Sequence, residues 1–314
     1  MGKVITLTLN PALDVSTTVE HVRPDTKLRC HAPRIDPGGG GVNVSRAMAK
    51  LGEQSLAFIA IGGTIGQSLL TRLRDEGVTE VRYDIPGETR QSFAVRETSS
   101  GDQFRFVLPG PEWTPDLFAS CLDTLEPHIA EGDIVVISGS FPPGLPATAA
   151  RNICAFAIAR GADILVDTSG TALDTLIEQS PGKGLTLVMN KDEAERIAGA
   201  PVDVAGAGRL ARHLVDQGAA ETVITTLGAL GALTVTREAA WHAAPPDAPI
   251  VSKVGAGDSF AAGYVIARNK GDAIDDALRH AMAAATSAVT TPATELCTRE
   301  GFERYLLEIE LKPA

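Results

Sequence analysis

Asp133-Ile-Val-Val-Ile-Ser138 is an apolar run bounded by polar residues, followed by the helical pattern of Ala147–Arg160 and a second such run, Asp163-Ile-Leu-Val-Asp167. Two short, wholly apolar strands joined through a helix form a βαβ unit, whose strands must lie parallel and be covered on both faces. The pattern extends in both directions. Leu56–Ile61, Thr186–Met189 and Thr222–Thr226 read as further core strands, and Val42–Leu51, Gln67–Glu76, Asp116–Ile129 and Ala205–Gln217 as helices between them. The predicted fold is therefore α/β, a doubly wound, mostly parallel sheet flanked by helices. Two stretches break the rhythm. Val15–Ile35 and Glu80–Leu108 read as strands without an intervening helix, the second with a hairpin of Ser92–Thr98 and Gln103–Leu108 around Ser99-Ser100-Gly101-Asp102. They are expected to form a small β-sheet lid or a dimer surface. After residue 258 the chain turns helical at Ala261–Ala267, Ala273–Val289 and Glu300–Ile309.

Composition limits the function. With 44% hydrophobic and 21% charged residues the 314-residue chain is ordinary for a globular protein, and no apolar run is long enough to span a bilayer. A net charge of −11 without a Lys/Arg-rich block argues against a nucleic-acid partner. The N-terminal residues enter an alternating strand pattern at once, without the regions of a signal peptide, so a cytoplasmic location is expected. Cys30, Cys121, Cys154 and Cys297 form no CxxC pair and suit reduced thiols, and the six histidines show no ligand spacing.

Val254-Gly-Ala-Gly-Asp-Ser259 places a carboxylate just after small residues that open a helix. Free amides at a helix start can hold an anion, and Asp258 can take a proton from a hydroxyl while Gly255, Ala256 and Gly257 stabilise a transferring group. Pro37-Gly-Gly-Gly-Gly-Val-Asn-Val44 likewise runs glycines into a helix, a close-contact surface or a flexible turn, with Asn43 on the first turn. Asn10-Pro-Ala-Leu-Asp14 and Ser138-Gly-Ser-Phe-Pro-Pro-Gly144 each follow a core strand, at the edge where open α/β sheets bind ligands. Asp14 suits sugar hydroxyls or a turn; Ser138 and Gly139 suit substrate contact or a structural loop. Asn190 and Glu193, at i,i+3 spacing after Met189, suit a Mg²⁺ reached through water, a helix cap, or both. Thr225-Thr-Leu-Gly-Ala-Leu-Gly231 adds glycines after another strand. The P-loop, protein-kinase and dinucleotide fingerprints are absent, so another phosphate chemistry is needed.

The paired elements Pro37–Asn43 and Val254–Ser259, supported by Ser138–Gly144 and Asn190–Glu193, resemble the PfkB family of carbohydrate kinases, in the ribokinase superfamily, over nearly the whole chain. Thr6–Asp14, Lys27-Leu-Arg-Cys30, Thr89-Arg-Gln91 and Phe104-Arg-Phe-Val107 are most similar to its phosphosugar branch, which includes the ATP-dependent 6-phosphofructokinases. The resemblance implies one ribokinase-like domain over residues 1–314, a lid of about 15–35 and 80–108, and ATP and Mg²⁺ as cofactors with K⁺ as a further candidate. It implies phosphorylation of a ketohexose phosphate in glycolysis, first fructose 6-phosphate to the 1,6-bisphosphate, with 1-phosphofructokinase and tagatose-6-phosphate kinase as alternatives. By the same resemblance Asp258 is the base and Gly255, Ala256 and Gly257 the anion hole. Asp14, Gly38, Gly39, Asn43, Ser138 and Gly139 hold the sugar, Lys27 and Arg90 its phosphate, and Arg29 reaches in from a homodimeric partner across the lid. Asn190, Glu193, Thr226, Gly228 and Gly231 line the nucleotide, with Glu193 on the metal through water. Three places depart from the relatives: Val188 stands where a lysine is common, Lys253 where a small or hydroxylated residue is usual, and Ala285 with Thr290–Ala293 in a glycine- and amide-containing stretch. A catalytically weak sugar-phosphate-binding protein is the reading from another class.

Overall fold

The computed structural model describes residues 2–292 and 294–314. Ala293, one of the positions just named, lies outside them, as does Met1. Among the described residues the large sheet has ten strands. Seven are parallel: β1 (Val4–Thr8), β4 (Leu56–Ile61), β5 (Thr79–Asp84), β8 (Ile134–Ser138), β9 (Asp163–Asp167), β10 (Leu185–Asn190) and β11 (Thr222–Thr226). The edge beyond β11 is antiparallel, through β12 (Ala232–Val235), β13 (Ala240–Ala243) and β14 (Leu311–Pro313).

Side chains of a strand alternate between faces, and here both faces are dry. Ile5, Val135, Ile137, Ile164, Val166, Leu187 and Met189 face one core with α3 (Pro115–Leu125), α4 (Ala149–Ile158), α5 (Gly170–Glu178) and α7 (Val204–Asp216). Val4, Ile134, Val136, Leu165, Val188 and Ile224 face the other, with α1 (Gly40–Lys50), α8 (Ala256–Lys270), α9 (Ile274–Val289) and α10 (Arg299–Leu306). α2 (Gly63–Asp75) packs against Ala57, Ile59 and Ile61 of β4. The five core strands and the helices expected from the sequence are present, with bounds shifted by a few residues. Among the described residues no helix is long and apolar enough to cross a membrane.

A second sheet has the order β3 (Arg34–Gly38), β2 (Ala12–Val19), β6 (Arg90–Glu97), β7 (Gln103–Val107). It differs from the expected segments in two ways. Thr79–Asp84 belongs to the large sheet, pairing with β4 from Leu56↔Thr79 to Ile61↔Asp84, because its apolar contacts are met there. Residues 20–33, read as strand, form a mostly exposed polar loop that meets the small sheet near its ends, where Val22 N donates to Glu97 at 3.2 Å and His31 N to Thr18 O at 2.9 Å.

The chain leaves β1 toward β4 on one side, while β8 opens the run toward β11 on the other. The order reverses between β1 and β8, and a crevice forms outside their carboxyl ends. The loops after Thr8 and Ser138 both open there.

Candidate active site

Asp258 sits in the first turn of α8, whose N-cap is Gly255 at φ 77°. Such a left-handed residue turns the chain sharply into the helix, and a side chain there would strike Leu296. The Asp258 carboxylate accepts 2.9 Å from Asn43 Nδ2 and 3.1 Å from Ser138 Oγ. Residues 43, 138 and 258 thus meet at the switch point from α1, β8 and α8. Burial pushes the Asp258 carboxyl up to about 6; the bonds from Asn43 and Ser138 work against that rise, and the charge on Asp14 adds to it. The Ala256 N–H makes a long 3.4 Å turn contact to Lys253 O, as one of the first-turn donors of α8, which lack intrahelical partners.

The glycine loop fits closely against its neighbours. A Cβ on Gly38 would lie 2.2 Å from Asp14 Oδ2, and one on Gly40 2.3 Å from Ser138 Oγ. Glycine is therefore required for the loop and helix to approach both polar groups. Asp14, on β2, has its carboxyl raised by burial, with Arg90, Arg105 and Arg46 acting oppositely. Arg90 donates from Nε to Asn10 O at 3.2 Å and from Nη1 to Leu108 O at 3.4 Å. Asp14, Ser92 and Arg105 line one pocket with Val254 and Thr294. Ser92 has no counterpart among the residues expected from the sequence, whereas Arg105 belongs to the Phe104-Arg-Phe-Val107 segment on which the resemblance rests. Lys27 and Arg29 stand exposed on the 20–33 loop, and among the described residues no hydrogen bond or ion pair joins them to this pocket.

Asn190 and Glu193 form a reciprocal cap at α6 (Lys191–Ala198): Glu193 N donates to Asn190 Oδ1 at 2.9 Å and Asn190 N to Glu193 Oε2 at 2.8 Å. Both residues are thereby fixed at the end of β10. Burial raises the Glu193 carboxyl. It also raises Asp167, at the end of β9, to about 7, with Asp258 and Glu193 adding to that rise. Asp167 was missed by the sequence reading, although it ends a strand already placed at this edge. Two carboxylates at the ends of neighbouring strands suit Mg²⁺, which takes one or two protein oxygens and completes its shell with water and phosphate. Among the described residues no group of three ligating side chains forms a closed metal cage.

Thr226 contacts Met189 O at 3.5 Å, beside Gly228 at φ 60°. Gly231 has a packing reason to be glycine, since a Cβ would lie 2.0 Å from Ala243 O. Val188 is buried in the core beneath α8, flanked in register by Asp167 and Ile224, whereas Lys253 is exposed. Thr294 Oγ1 donates 2.7 Å to Asp36, which ties the segment after α9 to the small sheet, and Thr291 Oγ1 donates 2.7 Å to Leu296 O within that segment.

A carboxylate of raised pKa at a helix start, with a pocket lined by Asp14, Ser92 and Arg105 alongside and the carboxylates of Asp167 and Glu193 at neighbouring strand ends, suits an alcohol-acceptor phosphotransferase. The model of the pfkB family carbohydrate kinase matches residues 7–300. The chain is 37% identical over 311 residues to the ATP-dependent 6-phosphofructokinase isozyme 2 of Mycobacterium tuberculosis, covering 99% of this chain and 91% of that one. It is 31% identical to the 1-phosphofructokinase of Bacillus subtilis, covering 98% and 99%. Phosphofructokinase-2 from Escherichia coli in complex with potassium superposes with a TM-score of 0.92 at 33% identity, covering 98% and 99%, and that enzyme is also solved with fructose-6-phosphate and in a tetrameric inhibited form. The chain belongs to the pfkB family of carbohydrate kinases.

Proposed function

We propose that this kinase transfers the γ-phosphoryl group of ATP to the free primary hydroxyl of fructose 6-phosphate. The observation that carries the reading is the convergence of Asn43, Ser138 and Asp258 at the switch point, with the Asp14–Arg105 pocket alongside. Asp14 and the Gly38-Gly39 backbone hold the sugar hydroxyls, and Ser138 with Gly139 borders the acceptor. Arg90 and Arg105 meet the phosphate already on the sugar, and Lys27 and Arg29, exposed on their loop, reach it from a second subunit. Asp258 takes the hydroxyl proton as the oxygen bonds to phosphorus and the bond to the ADP oxygen breaks. The Gly255–Gly257 amides stabilise the charge spread over the transferring group. Mg²⁺ supplies charge neutralisation of the phosphates when bound, and Glu193 and Asp167 are the residues to hold it, directly or through water. Asn190, Thr226 and Gly228 border the nucleotide, with Gly231 shaping the turn beneath it.

The potassium complex of the Escherichia coli relative supports a monovalent-cation requirement here too, where the oxygen-bearing segments around Ser252 and Thr291 come together; turnover in KCl against NaCl tests it. The same reading places the enzyme in the cytoplasm, in glycolysis.

The deciding measurement is kcat/KM for fructose 6-phosphate, fructose 1-phosphate and tagatose 6-phosphate side by side. Preference for fructose 6-phosphate is expected; preference for fructose 1-phosphate would assign the activity named for the Bacillus subtilis relative. Asp258→Asn is expected to abolish turnover while leaving sugar-phosphate binding. A wild-type chain that binds fructose 6-phosphate and turns over none of the three sugars would instead be a binding protein.

A further inference from the structure

Arg46 lies on α1 one turn after Asn43, and it is 1% exposed. Taking a guanidinium out of water costs several kcal/mol, by order of magnitude, unless acceptors surround it. Here they do. Nε and Nη2 make parallel bonds of 2.8 and 2.9 Å to the two carboxylate oxygens of Glu76, which caps the C-terminus of α2. Nη1 donates 2.8 Å to Pro37 O and 3.3 Å to Asn43 Oδ1, and Asp36 Oδ1 lies 3.8 Å from Nη2.

The Asn43 amide is held between two groups of opposite character. An arginine only donates, and an ionised Asp258 only accepts. Turning the amide over would set its N–H against the guanidinium and its oxygen against the carboxylate, so one orientation satisfies both ends. Glu76 fixes the guanidinium, the guanidinium fixes the amide, and the amide fixes Asp258 Oδ2. A lysine would keep the charge but lose the planar fork that serves Glu76, Pro37 and Asn43 together.

We propose that Arg46 is a positioning residue for phosphoryl transfer, acting through the Asn43 amide to keep the Asp258 carboxylate aimed at the acceptor hydroxyl. The inference rests on the reading of Asp258 as the base.

A double-mutant cycle tests it. Arg46→Lys is expected to lower kcat by ~10- to 100-fold with the KM for fructose 6-phosphate changed less than about threefold, because the loss is one of alignment. In an Asn43→Leu background the same substitution is expected to add less than about a threefold loss, since the residue it acts through is gone. Equal fold-losses in both backgrounds would overturn the proposal, as would kcat and KM falling together with the melting temperature. Should Arg46→Lys not fold, Glu76→Gln serves in its place, with an expected kcat loss of roughly 3- to 10-fold that again vanishes in Asn43→Leu; unchanged kcat in folded Glu76→Gln would overturn it. Asp258→Asn separates the two levels. Retained turnover there would remove the base assignment itself, whereas abolished turnover with an additive cycle removes only the role of Arg46.

Discussion

Burial lifts Asp258 to about 6 and Asp167 to about 7, whereas both ionise near 3.8 when unfolded. Between those limits the folded chain holds more protons than the unfolded one, so these groups favour folding as the pH drops toward 4 and oppose it most above 7. Two outcomes follow for Asp258. The acid limb of kcat/KM is expected near pH 6, where the base protonates, and a pH–rate profile of the free enzyme reads it. Asp258→Asn, which removes the buried charge, is expected to melt higher than wild type at pH 8 by roughly a few degrees, the gain shrinking toward pH 4 in a series of thermal scans. Asp258 was visible in the sequence because small residues and a helix start surround it. Asp167 and Arg46 were not: one closes an apolar strand, the other lies inside the helical Val42–Leu51 segment with no motif to mark it, and the fold reveals their neighbours.

The nearly continuous apolar runs of β4, β8, β9 and β10 announce themselves because a strand covered on both faces carries few polar residues. β12, β13 and β14 are four, four and three residues long, and a pattern that short has no readable period. Thr79–Asp84 is mostly polar, and which sheet it joins depends on the position of β4, information that local sequence does not hold. The close contact of α8 with α9 is equally invisible locally, and it turns on Gly263, where a Cβ would sit 2.5 Å from His280 O. Backbone cannot yield as a side chain can. Gly263→Ala is therefore expected to cost about 1–3 kcal/mol, measured by urea unfolding, and a variant as stable as wild type would show that the two helices can separate without penalty.

The small sheet shows Phe106 at 53% and Val107 at 60% exposure, with Phe104 of the same strand, Leu108 just after it and Leu28 of the 20–33 loop also open. Apolar side chains gathered on one sheet invite coverage, and a second copy offering the same surface supports the proposed homodimer. Phe106→Asp with Val107→Lys is expected to shift the protein from dimer to monomer in light scattering, with the KM for the sugar phosphate raised as Lys27 and Arg29 of the partner are lost; a double variant that stays dimeric with unchanged KM would remove the small sheet as the interface. The Asp258 carboxylate, finally, depends on an amide 215 positions and a hydroxyl 120 positions earlier in the chain. Chains grow at roughly 5–20 residues per second, so the ribosome finishes the glycine loop and the acceptor edge many seconds before it delivers the base. Through that interval the nascent protein has the loops proposed to face the sugar but not the proposed base, and a chain arrested before residue 258 is expected to lack turnover of ATP.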